Sequence, residues 1–275
     1  MSVSGTNLTI LSNYTIAKSI EFEINSTGLF NNKTAKTFRV IGSRILGYNS
    51  ITVLQDLCEY LDTTQDAMNT PTVGQTLYLV STSANDSSVG TGIRTVDVIY
   101  LDASGNEQEF GDVVLNGTTP VSLGSGVTAI QVMYAKTAGS GVVAAGNISV
   151  TSTNGAATVA TTFDRITAGL GRSLSGRYKI PNGYTGYIKG WGGDKIGNTQ
   201  DMRLRVDVDP YSRVLSTGVY TLQDRLTLDS NQTESRDIDY IRIPQLSTIK
   251  VSTFPGANGA ANKSSCHFEL ILIAN

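Results

Sequence analysis

Ile93–Val121, IRTVDVIYLDASGNEQEFGDVVLNGTTPV, is the stretch from which the fold class can be read. Two β-branched apolar runs flank Ala103-Ser104-Gly105-Asn106, a cluster of turn formers, and a second turn signal follows at Asn116-Gly117. Asn-Gly suits a two-residue hairpin because both residues tolerate positive φ. The stretch predicts strand, turn, strand, turn, strand. It carries no reactive constellation. Its hydroxyls and amides are spread along the chain, as on a surface that works by contact.

The same punctuation recurs on either side. Strands are predicted at 77–80, 129–134, 147–150, 184–191, 202–208, 219–228, 238–243, 248–253 and 267–273, almost all punctuated by Gly, Asn, Asp or Ser. In 1–48 the alternation is weaker. Ile20, Phe22 and Ile24 oppose Glu21 and Glu23, and the segment reads as an arm that a partner stabilises. Residues 50–68 are the one helix candidate. Val53, Leu54, Leu57, Cys58 and Leu61 form a stripe at helical spacing, Thr52 and Gln55 suit a capping box, and Asn69-Thr70-Pro71 stops it. The small polar stretch 151–161 reads as a linker. The expected fold is mainly β: two antiparallel sandwich or jelly-roll-like modules, one short helix and an extended N-terminal arm. Its expected divisions are 1–70, 71–160 and 161–275.

Composition narrows the function. Charged residues make up 16% of the 275, below the roughly 25% usual for soluble proteins. Ser, Thr, Asn and Gly fill the gap, which favours strands and turns over long helices. Net charge is −2 with no basic stripe, so nucleic-acid binding is not expected. Cys58 and Cys266 lie far apart with no CxxC partner and read as free thiols of a reducing compartment. No basic start leads into an apolar core at the N-terminus, and no apolar run approaches ~20 residues, so neither a secretory signal nor a membrane span is expected.

Candidate chemistry is sparse. His267 is the sole histidine, and on a strand its neighbour Cys266 points to the opposite face, so the two do not pair as base and nucleophile. Arg203, Arg205, Asp207 and Asp209 share one strand face. They suit either a paired-carboxylate glycosidase site or a solvated face of ion pairs and subunit contacts. Tyr178, Tyr184, Tyr187 and Trp191 suit sheet packing, a protein interface or a sugar platform. The Asp-rich turns, including Asn85-Asp86-Ser87, lack EF-hand spacing. The glycine pairs near 169–171 and 190–193 lack the GK[ST] of a phosphate loop. No catalytic, cofactor or metal residues are assigned. The candidate interface residues are Tyr184, Tyr187, Trp191, Arg203, Arg205, Asp207 and Asp209.

The 92–121 stretch, with GIRTV before LDASGNE and then LNGTTPV, resembles a module of virion proteins of tailed phages, notably those of marine bacteria. The segments 180–191, 201–206 and 268–273 look like a β-sandwich module found in the same proteins. The resemblance implies a non-enzymatic virion component without a cofactor, assembled in the host cytoplasm. Capsid decoration, cement or a head fibre comes first, with a tail-fibre or receptor-binding part as the alternative. A carbohydrate-binding protein is the reading from a different class. The implied partners are a major capsid protein or another virion protein, with a host-surface glycan as a further candidate. Exposed sheet edges and the mixed charge of 203–209 lead to the expectation of a homo-oligomer, a trimer first.

Overall fold

The computed structural model describes residues 35–46, 54–62, 65–196, 200–209, 211, 213–216, 218–229, 232–254 and 262–275. The predicted strand around Ile20–Ile24, the arm's residues 1–34 and the helix start at 50–53 lie outside them. Among the described residues no helix is long and apolar enough to cross a membrane.

The described residues are mainly β, with a 3-10 turn at Val159–Thr161. The strands in order are β1 (Ala35–Leu46), β2 (Gln55–Asp56), β3 (Leu77–Ser81), β4 (Ile93–Leu101), β5 (Glu107–Val114), β6 (Val121–Gly124), β7 (Ala129–Ala138) and β8 (Ile148–Thr151). They continue with β9 (Thr162–Ile166), β10 (Arg177–Lys179), β11 (Tyr184–Ile196), β12 (Gln200–Val206), β13 (Thr221–Leu228), β14 (Thr233–Ile243), β15 (Thr248–Phe254) and β16 (Asn262–Ala274). Four sheets result. Sheet I runs β1-β16-β11-β14, and sheet II runs β10-β15-β12-β13 with β2 also paired to β15. Sheet III runs β6-β3-β8-β9, and sheet IV runs β5-β4-β7.

Alternation explains the cores. Phe268, Leu270 and Leu272 of β16 meet Met202, Leu204 and Val206 of β12 in a core shared by sheets I and II. Leu77, Leu79, Val96, Val98, Met133 and Val150 form a second core between sheets III and IV. The division is not a clean pair of modules in sequence. β1, expected to be arm, pairs along its whole length with β16, from Ala35↔Ile273 to Leu46↔Asn262. β9, beyond the expected break at 160, pairs with β8, and its Phe163 and Ile166 join the second core. The two sheet pairs also bond to each other. Tyr178 Oη donates to Glu107 Oε2 at 2.9 Å, Lys179 N donates to Gln131 Oε1 at 3.0 Å, and Asn182 N donates to Gly105 O at 2.8 Å.

The opening stretch forms half of what its pattern suggests. β4 and β5 make the expected hairpin. Asp102 Oδ1 accepts the N–H groups of Ser104 and Asn106, each at 2.9 Å, to close its turn. The second turn does not make a hairpin. Gly117, at φ 60°, donates its N–H to Asp86 O and accepts that of Ser81. This redirects the chain into sheet III, where β6 pairs with β3. A turn signal fixes local direction but not the strand that receives the next run.

The expected helix at 50–68 is also corrected. Its described part is an irregular strap with a two-residue strand. The stripe fails as a helix face because its residues serve different clusters. Leu57 enters the core of sheets I and II, whereas Cys58, Tyr60, Leu61 and Met68 form a separate cluster with Val159. Strap backbone groups bond outward: Leu57 N to Val251 O, Glu59 N to Leu174 O, and Gly176 N to Leu57 O. Glycine permits this crossing, since a Cβ on Gly42 would lie 2.3 Å from Gly176 N and 2.6 Å from Leu57 O. Arg44 of β1, fully buried, gathers the remaining carbonyls. It donates to Asp56 O at 3.1 Å, Asp62 O at 2.6 Å and Gln65 O at 2.9 Å.

Arg44→Ala is therefore expected to strand buried carbonyls and open a cavity, at a cost of about 3–5 kcal/mol. Urea unfolding of the full chain measures it. A loss under about 1 kcal/mol, the range of an exposed substitution, would remove Arg44 as the strap's clamp.

Candidate interaction surface

Strand β12 alternates as its sequence predicts. Met202, Leu204 and Val206, followed by Val208, face the core, and Arg203, Arg205, Asp207 and Asp209 face away from it. All four outward charges are already engaged within the chain. Arg203 donates from Nε and Nη2 to Asp201 Oδ2, at 3.1 and 2.9 Å, and lies 4.5 Å over the Phe254 ring. Arg205 Nη2 donates to Asp56 Oδ1 at 2.8 Å. Asp207 Oδ1 accepts the Thr248 N–H at 2.6 Å. Asp209 closes its own turn, accepting N–H groups of Tyr211 and Arg213 and pairing with Arg213 Nε at 2.6 Å. The expected self-complementary ring contact of arginines with aspartates loses its basis here, because each charge has a nearer partner on its own chain. Burial raises the carboxyl of Asp207, while the Arg213 N–H and side chain lower that of Asp209.

The Asp56 carboxylate is the electrostatic centre of this face. It is buried, takes Lys250 Nζ at 2.9 Å, Arg205 at 2.8 Å and Ser252 Oγ at 2.7 Å, and accepts the Met68 N–H at 3.0 Å. The Tyr220 ring lies 4.2 Å from Lys250 Nζ and 5.2 Å from the Arg205 guanidinium carbon. Burial alone would push the Asp56 carboxyl up. The Lys250 and Arg205 charges outweigh it and hold the group below the usual carboxylate range. A sequence reading cannot place Asp56 beside residues almost two hundred positions away.

The aromatic candidates separate. Trp191 is 1% exposed in the core of sheets I and II, and its Nε1–H donates to Asp224 Oδ2 at 2.8 Å. The expectation of Trp191 as an interface anchor is thus corrected, because the indole is spent on the fold. Tyr178 is also core, with Phe38 at 4.8 Å between ring centroids. Tyr184 is half-buried against the same core, and Lys36 Nζ lies 5.7 Å from its ring centre. Tyr187 packs on the outer side of sheet I with Tyr240, Ile271 and Ile273. Open apolar side chains lie elsewhere, among them Tyr211, Val214, Val219 and Leu222 at 81%, 47%, 50% and 50% exposed. They follow β12 and lead into β13. Their signal in the sequence is the run of Tyr, Val and Leu among Ser, Thr and Gly at 211–222, of which 219–222 opens the predicted strand at 219–228.

Other reactive groups are buried. Cys58 and Cys266 are free, and burial pushes the Cys58 thiol up to about 12. Cys58 Sγ lies 2.9 Å from Ser175 Oγ, which donates to Asp164 Oδ1 at 2.6 Å. Burial raises the Asp164 carboxyl despite its hydrogen bonds. His267 is half-buried, and burial followed by the Arg39 charge lowers its imidazole. In the Asn85-Asp86-Ser87 turn, Asp86 is buried and accepts from Ser81 Oγ and the N–H groups of Ile93, Ala145 and Gly146, at 2.6–2.9 Å. It ties three loops together.

Comparison with known proteins adds little. No family model matches the chain, and no curated protein matches it. Among solved structures, a structure of the Gt strain of infectious bursal disease virus has 10% identity and a TM-score of 0.25, covering 88% of this chain and 72% of that one. T=1 particles derived from infectious bursal virus have 11% identity and a TM-score of 0.21, covering 88% and 70%. At these scores the likeness carries no argument.

Two outcomes follow from the buried carboxyls. Asp56→Asn leaves Lys250 and Arg205 without their anion and should cost about 3–5 kcal/mol at pH 7. Because the Asp56 carboxyl is depressed in the fold, its stabilisation is full above about pH 4, its unfolded value, and fades as pH falls through the lower folded value. Chemical denaturation at pH 3 and pH 7 should find the variant's deficit smaller in acid. An equal deficit would refute the ion cluster. Asp164 has the opposite sign. Its raised carboxyl favours the fold below about pH 4, and that contribution drains away as pH rises toward the folded value. Asp164→Asn should therefore lose less stability than the parent between pH 4 and pH 7. A parallel pH profile would argue against it.

Proposed function

We propose that this chain is a non-enzymatic structural component of a virion, acting through protein–protein contact. The observation that carries the reading is the 92–121 stretch, whose motif resembles virion proteins and whose β4–β5 hairpin sits at the junction of the two sheet pairs through Glu107 and Gly105. The state of the reactive groups is in keeping with it: the described thiols are buried and protonated at neutral pH. On this reading the two sheet pairs act as two sandwich-like modules, and the chain decorates or cements a capsid or forms part of a head fibre. Assembly as a homo-oligomer would use the open apolar residues at 211–222 in place of Trp191. Exposed apolar side chains close together in the chain are a usual contact site.

Mass spectrometry of gradient-purified virions from the genome that encodes the chain is the direct test. The chain should co-sediment with particles at a fixed ratio to the major capsid protein. Its restriction to the lysate supernatant would overturn the reading. In light scattering, the double variant Val219→Asp, Leu222→Asp should shift the purified chain toward monomer, whereas Tyr187→Ala should not. An unchanged mass would take these residues out of the interface.

A further inference from the structure

The outer face of sheet II holds more positive charge than its own carboxylates balance. The register places Arg177 of β10 opposite Lys250 of β15, and Lys250 opposite Arg205 of β12. Three cations therefore lie side by side across three hydrogen-bonded strands, about 5 Å apart. Like charges so placed repel unless something negative sits among them. Asp56 serves Lys250 and Arg205. Among the described residues, Arg177, though buried, donates to backbone carbonyls, Asn69 O at 2.7 Å and Phe163 O at 3.3 Å. Asp164 lies within its field, but burial favours that carboxyl's neutral form. One row further, Lys179 lies opposite Thr248, and the Asp207 carboxyl, which burial raises, lies within its field. Beside these residues is a cavity of about 160 Å³, lined by Arg177, Lys179, Tyr220, Thr248 and Asp207 and walled on one side by Val214 and Leu215. The lining carboxyl, Asp207, already accepts the Thr248 N–H.

We propose that this cavity is a seat for one small oxyanion, a carboxylate or phosphate group, held by Lys179 and Arg177 with the Tyr220 hydroxyl as a further donor. Lys179 and Arg177 supply the charge, and Arg177 has N–H groups to spare beyond its two carbonyl partners. An anion there balances the row of cations that the strand register forces together. The volume admits a carboxylate or phosphate group with a few attached carbons and excludes a polymer. The inference does not rest on the virion reading, since it follows from charge and register alone.

The test is titration calorimetry of the full chain with sodium phosphate and, separately, sodium acetate, at ionic strength matched with sodium chloride. At least one should bind at one site per chain with a millimolar dissociation constant. Lys179→Gln should weaken that binding by about tenfold. Lys136→Gln, which removes the same charge from an exposed lysine on β7, should leave it unchanged. Binding of acetate as well as phosphate identifies a general oxyanion seat, and binding of phosphate alone identifies a phosphorylated ligand. Either supports the proposal. No saturable heat with either anion, or equal weakening by the two lysine variants, overturns it. If Lys179→Gln fails to give the parent circular dichroism spectrum, Tyr220→Phe replaces it, with a weakening of a few-fold expected and no change counting against the seat.

Discussion

The buried carboxylate of Asp56 fixes where the strap between β1 and β3 must run. An ionised group inside a protein is tolerable only with partners, and here those partners are Lys250 and Arg205 on neighbouring strands of sheet II. Once Asp56 is seated, the rest of the strap follows. Leu57 enters the core of sheets I and II, while Cys58, Tyr60 and Leu61 turn to the cluster with Val159. Arg44 then supplies donors to carbonyls that no strand reaches. The described strap has little regular structure, yet the Asp56 carboxylate and the carbonyls of Asp56, Asp62 and Gln65 are answered, as irregular backbone inside a protein requires.

This arrangement explains which parts of the chain were legible as sequence. Where one face of a strand meets one core, period-two alternation suffices: Leu204, Val206 and Val208 point inward as their spacing implies. The β4–β5 hairpin was legible because a turn and its two flanking strands are local. The strap was not. Val53, Leu54, Leu57, Cys58 and Leu61 have helical spacing, but Leu57 and Cys58 feed different clusters, and a helix would present them to one. The cross-strand salt bridges were hidden for a related reason. Arg205 is visible on the face of β12, whereas its partner Asp56 is 149 residues away.

The surface residues illustrate a second limit. An aromatic side chain carries the same signal whether it fills a core or anchors a partner, and Trp191 is decided only by its surroundings: its ring is enclosed and its N–H is satisfied by Asp224. The charged face of β12 is similar. Arg203, Arg205, Asp207 and Asp209 look available in the sequence, but Asp201, Asp56, Thr248 and Arg213 occupy them. Open apolar side chains stand instead at Tyr211, Val214, Val219 and Leu222, from beyond the end of β12 to the start of β13.

The pairing of β1 with β16 has a consequence for the order in which the protein is made. β16 lies between β1 and β11 in sheet I, so among the described strands β1 meets its sheet partner only when β16, the last of them, has been synthesised. Sheets III and IV draw all their strands from residues 77–166 and have their own core, so they can close while the ribosome is still extending the chain. For the whole of that interval β1 waits on a nascent polypeptide without the strand that it pairs with along its full length. That is the window in which a chaperone, or β16 from a neighbouring copy, could compete for it, and strand exchange between copies is the misassembly to which this topology is most open.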